Sequence, residues 1–308
     1  MLGCRSLLVL VVGTLPALAA GSALGQAMTD APTPSSSAAG PPVRNAITEY
    51  FAHWFDRVNQ AQASQPHWMT PLVTVTPRLE EEVRADVYLE RLGNGVPVAS
   101  YGNGKGLELI PTTTNEVIIN APSYVERGGA RPASGFADWP FILIKQRLVS
   151  ANEESGNYIV TAFLSATAPV GSRNFTTHAW IISPTIAAGK GWGDFDIQAT
   201  LTANFPTAHE HTIGKSVAGN LAFQYHLLKY LWPEVEVNWT YWPDGLHAGK
   251  NQVFITPGII FGRFQLSGRV RAIVGVGYQE AVSPMLTRTP VLTPIYDHAW
   301  VVTGRITF

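Results

Sequence analysis

In this 308-residue chain the residues that could do chemistry stand out first by their spacing, because charged side chains recur two apart. Glu80, Glu82 and Arg84 form one run, Lys145 and Arg147 a second, and Asp194 and Asp196 a third. Glu234 with Glu236 and Arg269 with Arg271 follow the same rule, and Glu116 and Arg305 stand alone in segments of the same kind. On an extended chain, residues two apart point the same way. Opposed rows of carboxylates and cations have two uses. They tie a wall together as paired ions, since unpaired charge in a confined space is costly, or they line a constriction that orients a passing polar solute.

Other constellations carry less. His209-Glu210-His211 sets two imidazoles at i, i+2, but no fourth ligand is in view and a solvated loop explains it more simply. His178 and Ser183 are the best base and nucleophile pair for a lipid hydrolase, yet five residues apart they fall on opposite faces of one strand. Gly102-Asn-Gly-Lys-Gly106 looks phosphate-like but lacks the strand–loop–helix context, and its glycines suit a bend or bulge in a strand. No catalytic residue, cofactor or metal follows, so an enzyme is the least favoured class.

The elements that position these residues are strands. From Pro71 onward the pattern has period two. Asp194, Asp196, Gln198, Thr200, Thr202 and Asn204 alternate with Phe195, Ile197, Ala199, Leu201, Ala203 and Phe205. In the last segment Trp300, Val302, Gly304, Ile306 and Phe308 oppose Ala299, Val301, Thr303, Arg305 and Thr307. Strands with one apolar face and one charged face suit a wall with hydrocarbon outside and water inside, the pattern of a transmembrane β-barrel. Net charge is −1 and charged residues make up 14%, below the roughly 25% of soluble domains. No basic excess points to nucleic acid.

The fold expected is therefore all-β: a transmembrane antiparallel up-and-down barrel of twelve strands over residues 70–308. The first strand is placed at Arg78–Arg91, the sixth at Thr176–Ala188, the tenth at Asn251–Gly262, the eleventh at Gln265–Val282 and the last at Asp297–Phe308. Twelve satisfies the even-number rule and puts the longer connections mostly on the outer side. Tyr158, Trp192, Phe195, Trp232, Phe264 and Phe308 then mark a periplasmic aromatic girdle, and Phe205, Trp239, Tyr241, Trp242, Tyr278 and Trp300 an outer one. The final strand must close against the first, which brings Arg305 towards Glu80 or Glu82. The lumen-facing charges named above become the pore-lining candidates.

The N-terminus reads as a secretory signal over residues 1–27. Arg5 precedes an apolar run too short to span a bilayer, and small-residue cleavage sites follow, with cleavage after Ala27 preferred. The single cysteine, Cys4, leaves with it, which removes disulfides and thiolate chemistry from the mature chain. Residues 28–43 form an Ala/Pro/Ser linker. Residues 44–62 place Ile47, Tyr50, Phe51, Trp54, Phe55 and Val58 on one face of an amphipathic helix that packs on the periplasmic rim or plugs the lumen. Secretion plus a barrel gives the bacterial outer membrane, with lipid and lipopolysaccharide as surroundings.

Gly102–Pro111, Ala166–Ser172 and Gly219–Tyr225, together with the terminal Phe308, resemble the outer-membrane proteins of the MetA-pathway of phenol degradation family. The resemblance runs from about Thr70 to Phe308. It implies a monomeric or weakly associating barrel linked to passive uptake of aromatic or other small hydrophobic compounds. The family has no agreed catalytic residues, so none transfers, and the helix at 44–62 lies outside the matched part. Phe308, with Ile306 and Trp300 on its face, also looks like the signal read by the barrel-assembly machinery. The expected function is a channel for small molecules, with a closed structural or surface-binding barrel as the main alternative.

Overall fold

A computed structural model describes residues 45–103, 105–283 and 296–308. The signal at 1–27 and the linker at 28–43 lie outside the described residues, as do residues 284–295 of the last outer connection. The wall is a single antiparallel sheet that closes on itself as a twelve-stranded barrel. Strand β1 is Glu82–Leu92. Strand β2 is broken into Pro97–Gly102 and Gly106–Leu109, β3 into Asn115–Asn120 and Tyr124–Arg127, and β4 into Ala133–Phe136 and Trp139–Ala151. The remainder are β5 Tyr158–Ala168, β6 Ile181–Trp192, β7 Phe195–Pro206, β8 Ser216–Tyr225, β9 Leu231–Tyr241, β10 Asn251–Ser267, β11 Val270–Ser283 and β12 Tyr296–Thr307. Each pairs with its chain neighbour, and β12 closes on β1 with Arg305 opposite Arg84 and Val301 opposite Tyr88.

Period-two patterning sets which way each side chain points. In β12, Trp300, Val302 and Ile306 are exposed outward while Ala299, Val301, Thr303 and Arg305 are buried inward. In β7, Leu201 is exposed and Asp196, Gln198 and Thr200 are buried. Leaving a large apolar side chain in water forfeits about 1.5–3 kcal/mol, so a whole wall of them is stable only against hydrocarbon.

Three features differ from the sequence expectation. Gly262–Phe264 is not a turn. The tenth strand runs on to Ser267, the sheet register slips at Gly262/Phe264, and Arg263 sits at φ 60°, so the extra residue is absorbed as a bulge. The sixth strand begins at Ile181, which leaves His178 in the preceding loop at φ 57°, apart from Ser183 on the wall. Trp232 and Trp242 are buried rather than in the girdles, because Trp232 shares the inward face of β9 with Glu234 and Glu236 and Trp242 keeps the same parity one residue past its end. The break in β2 does fall at the glycines, with Gly102 at φ 85° and Asn103 at 42°.

The expected helix is split into α1, Ala46–Ala52, and α2, Trp54–Ala63. Val58 and Ala61 pack with Leu79 and Ile110 at the base of the barrel. Trp54 Nε1 donates to Glu81 Oε1 at 2.7 Å, and the Ile110 amide donates to Glu81 Oε2 at 2.6 Å. Burial raises the Glu81 carboxyl above its usual range, against the pull of the Trp54 and Ile110 hydrogen bonds. Arg147 binds the carbonyl end of α2 through Ala61 O at 2.7 Å, where a cation suits the free carbonyls.

Candidate functional site

The lumen holds residues that alternation alone places in a connection and at the start of the first strand. Residues 65–81 leave α2, run into the barrel and return to the rim before β1. The two limbs are joined at the base, where the Gln65 side chain donates to Leu79 O at 2.8 Å and accepts from Leu79 N at 3.0 Å. The far end reaches Thr74, whose hydroxyl lies 3.5 Å from the Asn238 amide. Met69, Leu72, Thr74 and Thr76 are all buried. We call this segment the plug.

An irregular backbone inside a barrel cannot join the wall's ladder, so its polar groups need side-chain partners. The inward charges supply them. Glu234 accepts the Leu72 amide at 3.0 Å, and Glu236 accepts the Val73 and Thr74 amides at 2.7 and 2.6 Å. Arg84 donates to Leu72 O at 2.5 Å, and Arg305 donates to Thr70 O at 2.5 Å and Pro71 O at 2.8 Å. On the returning limb Gln198 accepts from the Thr76 hydroxyl, Thr161 donates to Pro77 O, and Lys145 donates to Arg78 O. Glu116 accepts the Glu80 amide at 2.7 Å.

Ion pairs complete the arrangement. Lys145 meets Glu116 across β3–β4 at 2.9 Å with both side chains wholly buried, and Arg84 meets Asp86 along β1 at 2.8 Å. Glu80 lies in the plug and pairs with Arg78 at 2.8 Å. Of the charges singled out by spacing, Glu82, Arg84, Glu116, Lys145, Arg147, Asp196, Glu234, Glu236 and Arg305 are buried on the wall's inner face. Asp194, Arg269 and Arg271 are not in the lumen. Asp194 is exposed in the β6–β7 turn, and the bulge at Arg263 carries the β10–β11 hairpin further down, so that Arg269 lies in its turn and Arg271 is exposed beside it. Arg269 instead binds Asn59 of α2 at 2.7 Å and covers the Phe55 ring. Arg305 faces Arg84 across the seam and reaches the plug's carbonyls rather than Glu80 or Glu82.

Two glycine sockets receive the plug's large side chains. A Cβ on Gly258 would lie 2.3 Å from the Leu72 side chain, and one on Gly275 or Gly277 would lie 2.7 Å from it. A Cβ on Gly189 would lie 2.4 Å from the Trp68 ring, and one on Gly191 2.7 Å from its Nε1. Trp68 Nε1 also donates to Asn157 at 2.9 Å. These glycines fill inward positions of β6, β10 and β11, where a strand interior otherwise disfavours them. Glycines alternating along one face of a strand were the signal that could have located the plug. Around the Leu72 socket, Met69 and Leu72 pack with Trp232, Phe254, Ile260, Ile273 and Val301.

Charge-assisted hydrogen bonds of the Glu236 kind are worth about 1.5–3 kcal/mol each. Replacing Glu236 by Gln keeps one acceptor and removes the charge. The Val73 and Thr74 amides should then exchange with solvent at least tenfold faster in hydrogen-exchange measurements, with wall amides of β9 unchanged. Uniform exchange in both proteins would contradict the carboxylate's role in holding the plug.

His209-Glu210-His211 lies in an outer loop, with His209 preceding a single helical turn, Glu210–Ile213. No cluster of three or more metal-ligating side chains occurs among the described residues. Ser183 Oγ donates to Asn204 at 2.7 Å as part of the inner wall.

Solved structures that align with this chain include outer-membrane channels and porins. An outer membrane channel from Pseudomonas putida F1 aligns over 74% of this chain and 94% of its own, at 13% identity and a TM-score of 0.46. The NanC porin aligns over 74% and 98%, at 5% identity and 0.44. An anion-selective porin from Comamonas acidovorans aligns over 73% and 97%, at 13% identity and 0.33. No protein-family model and no curated protein matches the sequence.

Proposed function

We propose that the protein is an outer-membrane channel that admits small solutes passively, and that residues 65–81 are the gate that closes it. The observation that carries this reading is what fills the lumen. A barrel whose role is only structural can be packed with its own wall side chains. Here the wall is hollowed by glycines at Gly189, Gly191, Gly258, Gly275 and Gly277, and a separate segment occupies the space. That segment is held by hydrogen bonds and apolar contact, with no strand pairing to the wall, so it is separable from the barrel without breaking the sheet. The inward charges serve first to hold the gate. Once it is displaced, Glu234, Glu236, Arg84 and Arg305 are left as opposed charges lining the passage.

Delivery by a cleaved signal over residues 1–27, lipopolysaccharide as the outer surroundings, and recognition of the last strand by the barrel-assembly machinery belong to the same reading. Ile306 and Trp300 are exposed on the outward face of that strand, and Phe308 follows its last residue, Thr307. The resemblance to the MetA-pathway family implies aromatic or hydrophobic solutes.

Planar-bilayer recordings test the gate directly. The full chain is expected to conduct rarely and in brief openings, and a variant lacking residues 44–81 to conduct steadily. Silence from both proteins, with each shown to be folded by heat-modifiable migration on gels, would favour the closed structural barrel instead.

A further inference from the structure

The helix pair α1–α2 meets the barrel on one side only. Val58 and Ala61 turn towards Leu79 and Ile110, and no residue of α1 is buried. Ile47 is 69% exposed, Phe51 63%, Phe55 44% and Tyr50 37%. Phe51 stacks on Trp54 with ring centroids 6.1 Å apart, and Tyr50 meets these two rings edge-on at 5.3 and 5.8 Å. Ile47 lies one helical turn before Phe51, on the same side of α1. Together they form a contiguous, exposed apolar patch, which on a surface facing water marks an interaction site.

Three contacts fix the level at which the patch sits. Tyr50 Oη donates to Pro111 O at 2.8 Å, in the β2–β3 turn. The Arg269 guanidinium, in the β10–β11 turn, stands 4.5 Å from the centre of the Phe55 ring. Glu81 accepts from Trp54 Nε1 through its carboxylate, and from the Phe308 amide at 3.1 Å through its carbonyl. All three lie at the periplasmic edge of the wall, and the last is the lower end of the β12–β1 seam. Val83 and Ile306 pair across that seam, and both are exposed outward, towards hydrocarbon. The patch therefore stands where the lipid-facing wall ends, at the level of the inner leaflet's surface.

The chemistry of the pair suits that level. Aromatic rings with a polar edge favour the boundary between hydrocarbon and water, and short amphipathic helices lie in that boundary with their apolar face down. The polar groups are engaged within the pair. Arg57 donates to Tyr50 O at 2.8 Å and covers the Tyr50 ring at 3.9 Å, and the His53 ring meets the Asp56 carboxylate at 2.8 Å. Residues 45–63 contain no lysine, and Arg57 is their single guanidinium against Glu49 and Asp56. With no cationic stripe, attraction to anionic lipid contributes nothing, and apolar insertion alone must seat the helices.

We propose that Ile47, Tyr50, Phe51 and Phe55 seat α1 and the start of α2 in the phospholipid leaflet on the periplasmic side, as an interfacial anchor continuous with the lipid-facing wall. The anchor does not depend on the barrel conducting. Where it does conduct, the chain leading into the plug at Gln65 is held at the membrane surface, so a displaced gate stays tethered beside the lumen.

Spin labels on the full chain, refolded into phosphatidylethanolamine–phosphatidylcholine vesicles, test the seat. Ile47→Cys, Phe51→Cys and Gln60→Cys are each made in a Cys4→Ser background, with folding checked by heat-modifiable migration. Collision of each label with oxygen, which concentrates in hydrocarbon, is compared with collision with a water-soluble nickel complex. Labels at 47 and 51 should favour oxygen, and the label at 60, on the exposed polar side of α2, should favour nickel. Adding Ile47→Asp to the protein labelled at 51 should shift that label towards nickel. Since α1 buries nothing in the barrel, these changes leave the wall intact, and position 47 carries the test alone if Phe51→Cys does not fold. Labels at 47 and 51 that favour nickel overturn the proposal. So do labels shielded from both reagents, which would mean a protein partner, and spin–spin broadening, which would mean a second copy of the chain. A label at 51 that Ile47→Asp leaves unchanged also counts against the seat.

Discussion

Replacing Gly258 by Val should open the lumen without touching the gate itself. The new Cβ would stand 2.3 Å from the Leu72 side chain, and the next nearest atoms, Val276 O and Gly277 Cα, lie at 3.2 and 3.4 Å. The wall therefore tolerates the substitution better than the plug does, and valine favours an extended backbone. Overpacking of this kind costs about 1–3 kcal/mol, and a shift of that size multiplies the displaced population by roughly 5- to 150-fold. Open probability in planar bilayers should rise accordingly. Leu72→Ala in the wild-type background should also raise it, by vacating the socket, since truncating a buried leucine costs about 2–5 kcal/mol. Combined, the two changes should raise it less than their product, because the smaller side chain makes room for the valine. Independent effects would place Leu72 and Gly258 in separate mechanisms and remove the socket as the gate's anchor.

A second large effect is expected at Lys145. Its ammonium and the Glu116 carboxylate are both wholly buried and 2.9 Å apart, so each is the other's compensation for lost hydration. Removing one partner of such a pair costs about 3–5 kcal/mol, whereas replacing both by apolar groups of similar volume is often neutral. Lys145→Met should lower the urea midpoint of the folded barrel markedly, and Lys145→Met with Glu116→Leu should recover most of the loss. The recovery would be incomplete, because Glu116 also accepts the Glu80 amide and Lys145 also donates to Arg78 O. An unchanged midpoint in the single variant would mean that water reaches the pair.

Strand parity was the most legible feature of the sequence. The faces of β7 and β12 follow from alternation alone, since a one-residue slip would put every arginine and aspartate of those strands into lipid. The same parity, applied through the end of β9, puts Trp232 and Trp242 on the face of Glu234. Grouping them with the girdles by residue type alone overrode a stronger rule. Gly262-Arg263-Phe264 reads as a turn because local chemistry cannot separate a hairpin from a bulge that lets the strand run on. The plug was hardest to foresee. Leu72-Val-Thr-Val-Thr76 alternates like any strand, and what keeps it out of the wall is tertiary: carboxylates and guanidiniums more than a hundred residues away in sequence capture its backbone. Spacing puts Glu236 and Arg305 on the inner face and pairs them with other charges, whereas their partner is the peptide backbone of the plug; it also puts Asp194, Arg269 and Arg271 on that face, whereas they lie in or beside the turns.

The position of Arg84 and Arg305 bears on how the barrel is completed. They sit opposite one another on the two strands that meet last, and both grip the short stretch Thr70–Leu72. Joining the first strand to the twelfth is the contact of greatest sequence separation in the wall, so its loop-closure entropy makes it the slowest to find. The plug precedes β1 directly in the chain and stays near it. Because it also binds Arg305, the plug should hold the last strand near the register of the first while the ladder between them forms. A change that loosens the plug, such as Arg305→Met, should then slow the appearance of the heat-modifiable folded barrel in refolding time courses, and an unchanged rate would separate the plug from seam closure.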